Sequence, residues 1–206
     1  MLNRFARAFV TRLFSPLARL FVKLGISPDV VTIVGTLGVS SGALVFYPRH
    51  QFFVGTLVVT AFVFSDTLDG MMARMSGRSS AWGAYLDSTL DRVGDAAVFG
   101  GLVLWYSADG RSPTMAALAL ACLILGSVVS YARARAEGLG FVANVGIAER
   151  ADRLVAVLAA TGLVGLGLPE VVLGVVLVIL ALASLITIVQ RMMLVRRQAF
   201  TPTPEH

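Results

Sequence analysis

The sequence predicts an all-α integral membrane protein, with six transmembrane helices preceded by an N-terminal amphipathic interfacial helix. Three observations predict it. Of 206 residues, 57% are hydrophobic and 14% charged, against roughly 25% charged in a soluble domain. Six stretches contain no Asp, Glu, Lys or Arg: 30–48, 50–65, 96–108, 112–132, 154–169 and 171–190. The 17 basic residues gather in alternate connections, leaving Arg49 and Arg111 on the other side. A net charge of +5 does not indicate nucleic acid here, because the cations punctuate apolar runs and form no continuous basic surface. Cys122 is the single cysteine, which excludes an intramolecular disulfide framework and a thiolate metal cluster. His50 and His206 leave little room for histidine catalysis.

Three regions follow along the chain. In residues 1–24, Phe5, Phe9, Val10 and Leu13 recur at helical spacing, while Arg4, Arg7, Thr11 and Arg12 take much of the other side. This predicts a helix lying on the cytoplasmic lipid surface rather than a cleaved export signal. Residues 25–197 form a six-helix membrane domain, and 198–206, with Pro202 and Pro204, a short polar tail. Crossing the hydrocarbon takes about 20 residues. The shorter apolar stretches reach that length when extended across charged flanks, giving spans near 29–47, 51–74, 88–108, 112–136, 151–167 and 170–192. The runs are too continuous for the alternating strands of a barrel. Gly38 and Gly42, and then Gly94, Gly100 and Gly101, offer small surfaces for close helix contact. The basic asymmetry places both termini in the cytoplasm, which requires an even number of spans.

The segment 65–92, SDTLDGMMARMSGRSSAWGAYLDSTLDR, carries the chemistry. Asp66 and Asp69 are three apart and Asp87 and Asp91 four apart, so each pair can share a helix face at the cytoplasmic end of its span. Four converging carboxylates repel one another unless protonated or neutralised by cations. Oxygen ligands suit a hard divalent ion. Spacing alone equally allows pairing with Arg74, Arg78 and Arg92 as helix-end anchors.

The whole pattern is more specific. Asp66-x2-Asp69-Gly70-x2-Ala73-Arg74-x8-Gly83-x3-Asp87-x3-Asp91 resembles the full signature of the CDP-alcohol phosphotransferases, with every fixed position present. The resemblance implies that family's six-helix membrane fold, usually as a homodimer. It also implies an enzyme of the cell membrane that displaces CMP from a CDP-linked lipid with an alcohol. By the family pattern Asp66, Asp69, Asp87 and Asp91 are metal ligands, for two Mg2+ ions with Mn2+ as a possible substitute. Asp91 is then also the general base. Gly70 and Arg74 approach the nucleotide diphosphate, and Ser80 supplies another nucleotide-lipid contact. The segment Ser27-Pro28-Asp29-Val30-Val31-Thr32 resembles the family's nucleotide-side entry motif, so Asp29, Val30, Val31 and Thr32 join the CDP-diacylglycerol site.

For the acceptor, Ser130, Arg133, Arg150, Arg153 and Arg191 fall near the cytoplasmic ends of spans four to six, where a cationic pocket suits a phosphorylated alcohol. The bare positions equally fit arginines that only touch lipid headgroups. Over nearly the whole chain, Ser130–Glu137, Ile147–Arg150 and Arg153 resemble the actinobacterial phosphatidylinositol-phosphate synthases. These join CDP-diacylglycerol to an inositol phosphate. The resemblance makes Ser130, Arg133, Arg153 and Arg191 the acceptor-phosphate residues; some close relatives carry lysine at Arg133. The expected partners are CDP-diacylglycerol, inositol phosphate, membrane lipids and a second copy of the chain, with no nucleic acid. Two alternatives remain at this point: a phosphatidylglycerophosphate synthase using glycerol 3-phosphate, and a non-catalytic CDP-lipid-binding protein.

Overall fold

The computed structural model describes residues 14–77 and 80–200, without the Asp66 side chain. The predicted amphipathic pattern at 1–13, Arg78, and most of the polar tail lie outside the described residues. Helix α1 (residues 14–23) is followed by α2 (Pro28–Phe46), α3 (Phe52–Val63), α4 (Ser65–Ser76), α5 (Ala81–Ser107), α6 (Pro113–Glu137), α7 (Arg150–Gly165) and α8 (Val171–Phe200).

Local sequence explains where these helices start and stop. Ser27, Ser80 and Ser112 cap α2, α5 and α6, each hydroxyl accepting from a backbone N–H three residues on, and Pro28 and Pro113 stand at first helical positions whose N–H has no partner to lose. Glu149 and Asp152 form a reciprocal capping box at α7. Gly77 ends α4 in the left-handed region at φ 64, which a residue without Cβ adopts without strain.

Helix α2 packs on α5, α5 on α6, α6 on α8, α8 on α7, α7 on α3 and α3 on α2, closing a ring, while α4 continues α3 beside α2. Tyr47, Phe52, Val98, Leu102, Tyr106, Val157, Leu173 and Leu177 fill its centre. Large apolar side chains such as Leu37, Leu57, Leu104, Ile124, Leu182 and Leu185 face outward, the surface a lipid solvent calls for. Helix α1 lies outside the ring, with Ala18 packed among Val31, Leu68, Met71 and Met72 while Leu17, Leu20 and Leu24 are exposed. At one end of the ring His50 stacks on Trp105 at 4.4 Å, and its Nε2 lies 4.0 Å from Glu170. The acidic motif and most of the arginines occupy the other end.

The expectation of six transmembrane helices is corrected by this structure. Among the described residues, four helical stretches are long and apolar enough to cross a membrane: Pro28–Arg49, Phe52–Ser76, Pro113–Glu137 and Val171–Phe200. Helix α5 has the length, at 27 residues, but carries Asp87, Asp91, Arg92 and Asp95. Helix α7 has only 16 residues and begins Arg150-Ala151-Asp152-Arg153; its rise of about 24 Å falls short of the roughly 30 Å hydrocarbon core. Extending the apolar stretches 96–108 and 154–169 across their charged flanks produced the two excess spans.

Glycine contacts divide sharply. A Cβ on Gly101 would stand 2.8 Å from the Ala43 carbonyl oxygen, and one on Gly42 would stand 2.9 Å from Val58, whereas one on Gly100 would meet nothing within 4 Å. Gly101→Ala is therefore expected to lower stability by about 1–3 kcal/mol through forced separation of α2 and α5. Gly100→Ala should be neutral or slightly stabilising. Thermal unfolding of both variants in one detergent checks the contrast.

Candidate active site

At the motif-bearing end of the ring, the starts of α2 and α5 and the length of α4 enclose a cavity of about 390 Å³. It is lined by Asp29, Thr32, Asp69, Gly70, Arg74, Ser80 and Asp87, among others. Asp69 is 7% exposed, and its carboxylate accepts a 2.6 Å hydrogen bond from the Thr32 hydroxyl. That bond joins the entry segment of α2 to the acidic pattern of α4 across 37 residues of chain. Trp82 donates its indole N–H to Asp29 at 3.1 Å, setting one wall. A Cβ on Gly70 would meet the Arg74 guanidinium at 3.5 Å, so glycine leaves the cavity side of α4 open.

The entry segment divides by helix face. Asp29 and Thr32 line the cavity. Val30 is half exposed, and Val31 is buried against Leu68, Met71 and Met72.

The donors facing this cavity are hard oxygens. Asp69 and Asp87 share it, and Asp66, three residues before Asp69, has its side chain outside the description. Among the described residues, no three His, Cys, Asp or Glu converge to hold a metal ion. A carboxylate-rich donor set without thiolate or imidazole suits a divalent ion of the Mg2+ or Mn2+ type.

Asp91 lies apart from that cavity, deeper along α5. One of its oxygens receives Arg150 Nη1 at 2.7 Å, and Arg92 stands 3.7 Å from the other. A turn further on, Asp95 is 8% exposed. It meets Arg150 Nε at 3.2 Å, Arg92 at 3.8 Å and Arg153 at 3.9 Å. The motif reading did not single out Asp95. Its i, i+4 spacing after Asp91 was the available signal, but two of the three arginines it meets, Arg150 and Arg153, come from 55 and more residues away.

The arginines expected to bind an acceptor do gather here, in different environments. Arg153 is 2% exposed and donates to the carbonyls of Ala148 at 3.1 Å and Gly126 at 3.4 Å. Gly126 is what admits it, since a Cβ there would stand 3.1 Å from Arg153 Nε. Burial holds the Arg153 guanidinium below the usual arginine range; Asp95 opposes that shift, and Arg92, Arg150 and Arg191 reinforce it. Arg191 is 4% exposed and donates to Val145 at 2.9 Å and to Val129. Ser130 turns its hydroxyl to the Gly126 carbonyl at 3.2 Å. Arg133 points outward and pairs with Glu137 at 2.9 Å. Arg153 and Arg191 thus pin α7 and α8 to α6 and its following loop, a role that positions along the sequence do not display.

Residues 25–147 match the CDP-alcohol phosphatidyltransferase family. The chain is similar to the phosphatidylinositol phosphate synthase of Streptomyces avermitilis, with 53% identity across 97% of this chain and 84% of that one. It is also similar to the synthase of Cutibacterium acnes, with 47% identity across 96% and 98%. Among solved structures, it resembles the Mycobacterium tuberculosis phosphatidylinositol phosphate synthase with CDP-DAG bound, at TM-score 0.88 and 39% identity over 94% of this chain and 100% of that one. A second structure of that synthase, in complex with manganese and citrate, gives TM-score 0.87 and 40% identity over 92% and 93%. With the signature intact and its Asp69, Gly70, Ala73, Arg74, Gly83 and Asp87 lining one polar cavity, the chain, matched by the family over residues 25–147, belongs to the CDP-alcohol phosphatidyltransferase family.

Proposed function

We propose that this membrane protein transfers the phosphatidyl group of CDP-diacylglycerol to an inositol phosphate, giving phosphatidylinositol phosphate and CMP. The observation that carries the reading is the adjacency of two unlike halves. A carboxylate-lined cavity suits a nucleotide diphosphate and its counter-ions, an arginine cluster suits a phosphorylated acceptor, and Asp91 paired with Arg150 stands between them. Similarity to phosphatidylinositol phosphate synthases over nearly the full chain supports the acceptor.

On this reading Asp29, Val30, Val31, Thr32, Gly70, Arg74 and Ser80 bind CDP-diacylglycerol, Asp29 and Thr32 from the cavity wall. Asp66, Asp69, Asp87 and Asp91 would hold two Mg2+ ions, with Mn2+ as substitute; the manganese complex of the M. tuberculosis synthase supports a divalent ion of this type. Bound there, the ions supply neutralisation of the diphosphate and of charge developing on the leaving CMP. Asp91 accepts the acceptor hydroxyl's proton while that oxygen forms its bond to the lipid-linked β-phosphorus and the bond from that phosphorus to CMP breaks. Ser130, Arg133, Arg153 and Arg191 bind the acceptor's phosphate. A guanidinium has five N–H donors, more than the carbonyl contacts of Arg153 or Arg191 use.

The reading places the chain as a homodimer in a bacterial cell membrane, with residues 25–197 as one catalytic unit and the termini and active site in the cytoplasm. The support for orientation is charge: among the described residues, Arg49 and Arg111 alone of the basic residues belong to the His50–Trp105 end. In a Cys122→Ser background, a cysteine at the exposed Asp109 is expected to react with a membrane-impermeant thiol reagent in intact cells, and one at the exposed Leu139 only after permeabilisation. The reverse pattern contradicts the orientation. For the activity itself, purified protein is expected to release CMP from CDP-diacylglycerol only with both a divalent ion and an acceptor, and a chelator to stop it. Binding of the lipid with no CMP release under any of these conditions identifies a binding protein instead.

A further inference from the structure

Asp95 belongs to no part of the family signature quoted above, yet three guanidiniums stand within 4 Å of its carboxylate. It is almost fully buried, and three guanidiniums surround it: Arg92 from its own helix, and Arg150 and Arg153 from the first turn of α7. Arg150 spans two carboxylates, with Nη1 on Asp91 and Nε on Asp95. A guanidinium is planar and rigid, so a contact at Nε sets the direction in which Nη1 and Nη2 project. Arg92 Nε is buried and finds no hydrogen-bond acceptor, so the charges of Asp91 and Asp95, more than a set of saturated hydrogen bonds, hold that side chain in place. Three guanidiniums against two carboxylates leave the cluster cationic, and Arg191 adds a fourth positive charge acting on Arg153.

We propose that Asp95 is a positioning residue for the acceptor half of the reaction: it holds the Arg150 and Arg153 guanidiniums at a fixed separation and orientation, so that an acceptor phosphate meets aimed donors beside Asp91. Without that carboxylate the like charges spread apart, and the donors lose their aim. The proposal rests on the reading that the acceptor is phosphorylated. It also separates from a simpler electrostatic role by its sign. If Asp95 only diluted the positive field, its neutralisation would strengthen binding of an anionic acceptor; if it aims the arginines, neutralisation weakens that binding.

Two-substrate kinetics of the full-length protein in lipid nanodiscs test this with Asp95→Asn and Asp95→Glu. The asparagine variant is expected to raise the KM for inositol phosphate by about 10- to 100-fold, the scale of one lost hydrogen bond to a charged group, with the KM for CDP-diacylglycerol changed by less than about twofold on that same argument. The glutamate variant, which keeps the charge but moves it by one methylene, raises the acceptor KM in the same direction by a smaller factor. It stands as the test where the asparagine variant does not fold. An acceptor KM that is unchanged or lower in the folded asparagine variant, or unchanged in the glutamate variant when it alone folds, overturns the proposal. Failure of the wild type to use inositol phosphate refutes the acceptor reading itself, and is seen before any variant is made.

Discussion

Replacing Asp91 by asparagine is expected to lower turnover by about 10²–10⁴-fold, the contribution typical of a positioned general base, while leaving CDP-diacylglycerol binding close to wild type. The separation follows from position. Asp91 lies outside the cavity that Asp69, Gly70, Arg74 and Asp87 line, and contacts Arg150 and Arg92. Asparagine keeps the shape and an acceptor oxygen for Arg150 but cannot take the hydroxyl's proton. Asp69→Asn should behave differently, lowering affinity for the divalent ion further than the Asp91 variant does and turnover with it, because its carboxylate faces the cavity directly. CMP release by purified variants across a magnesium titration distinguishes the two patterns. Near-native turnover of the Asp91 variant removes it as the base.

Arg153→Ala is expected to act on stability as strongly as on kinetics. Its guanidinium reaches carbonyls on α6 and before α7 and stands beside Asp95 in an almost fully buried position. Truncation leaves the Ala148 and Gly126 carbonyls without this donor and removes one of the three cations beside Asp95, and each buried acceptor left unmade costs about 1–3 kcal/mol. Thermal unfolding in detergent should show a large fall in midpoint. In whatever fraction folds, the acceptor KM should rise far more than the CDP-diacylglycerol KM. Arg133→Ala provides the contrast: its pairing with Glu137 is exposed and spans one helical turn, so its loss should change stability by less than about 1 kcal/mol. Equal stability of the Arg153 and Arg133 variants would show that the buried contacts carry no weight.

These two arginines also show where sequence reading succeeds and where it stops. Helical spacing was enough to put Gly70 and Arg74, four apart, on one face of α4, but Asp87 joins their cavity from α5 through the fold, and Asp91, four residues further on, does not line it. Charge along the chain was enough to gather Arg150, Arg153 and Arg191 at one end. It was not enough to show the carbonyl contacts that fix those guanidiniums, such as Arg191 to Val129, 62 residues away. The same limit divides Asp29 and Thr32, which line the cavity, from Val31, which packs against α4. The span count went astray for a simpler reason. Apolar stretches were lengthened across Asp91, Arg92, Asp95 and Arg153, and in the folded chain those charges form the site's own network.

The central claim is that a nucleotide-lipid cavity and an arginine-bound phosphorylated acceptor meet at Asp91. Initial rates of CMP release from CDP-diacylglycerol, with inositol phosphate and glycerol 3-phosphate compared at equal concentrations in magnesium-containing nanodiscs, test it most directly. The account predicts rapid release with inositol phosphate, phosphatidylinositol phosphate as the lipid product, and little release with glycerol 3-phosphate or with unphosphorylated inositol. Preference for glycerol 3-phosphate, or equal rates with free inositol, would contradict it.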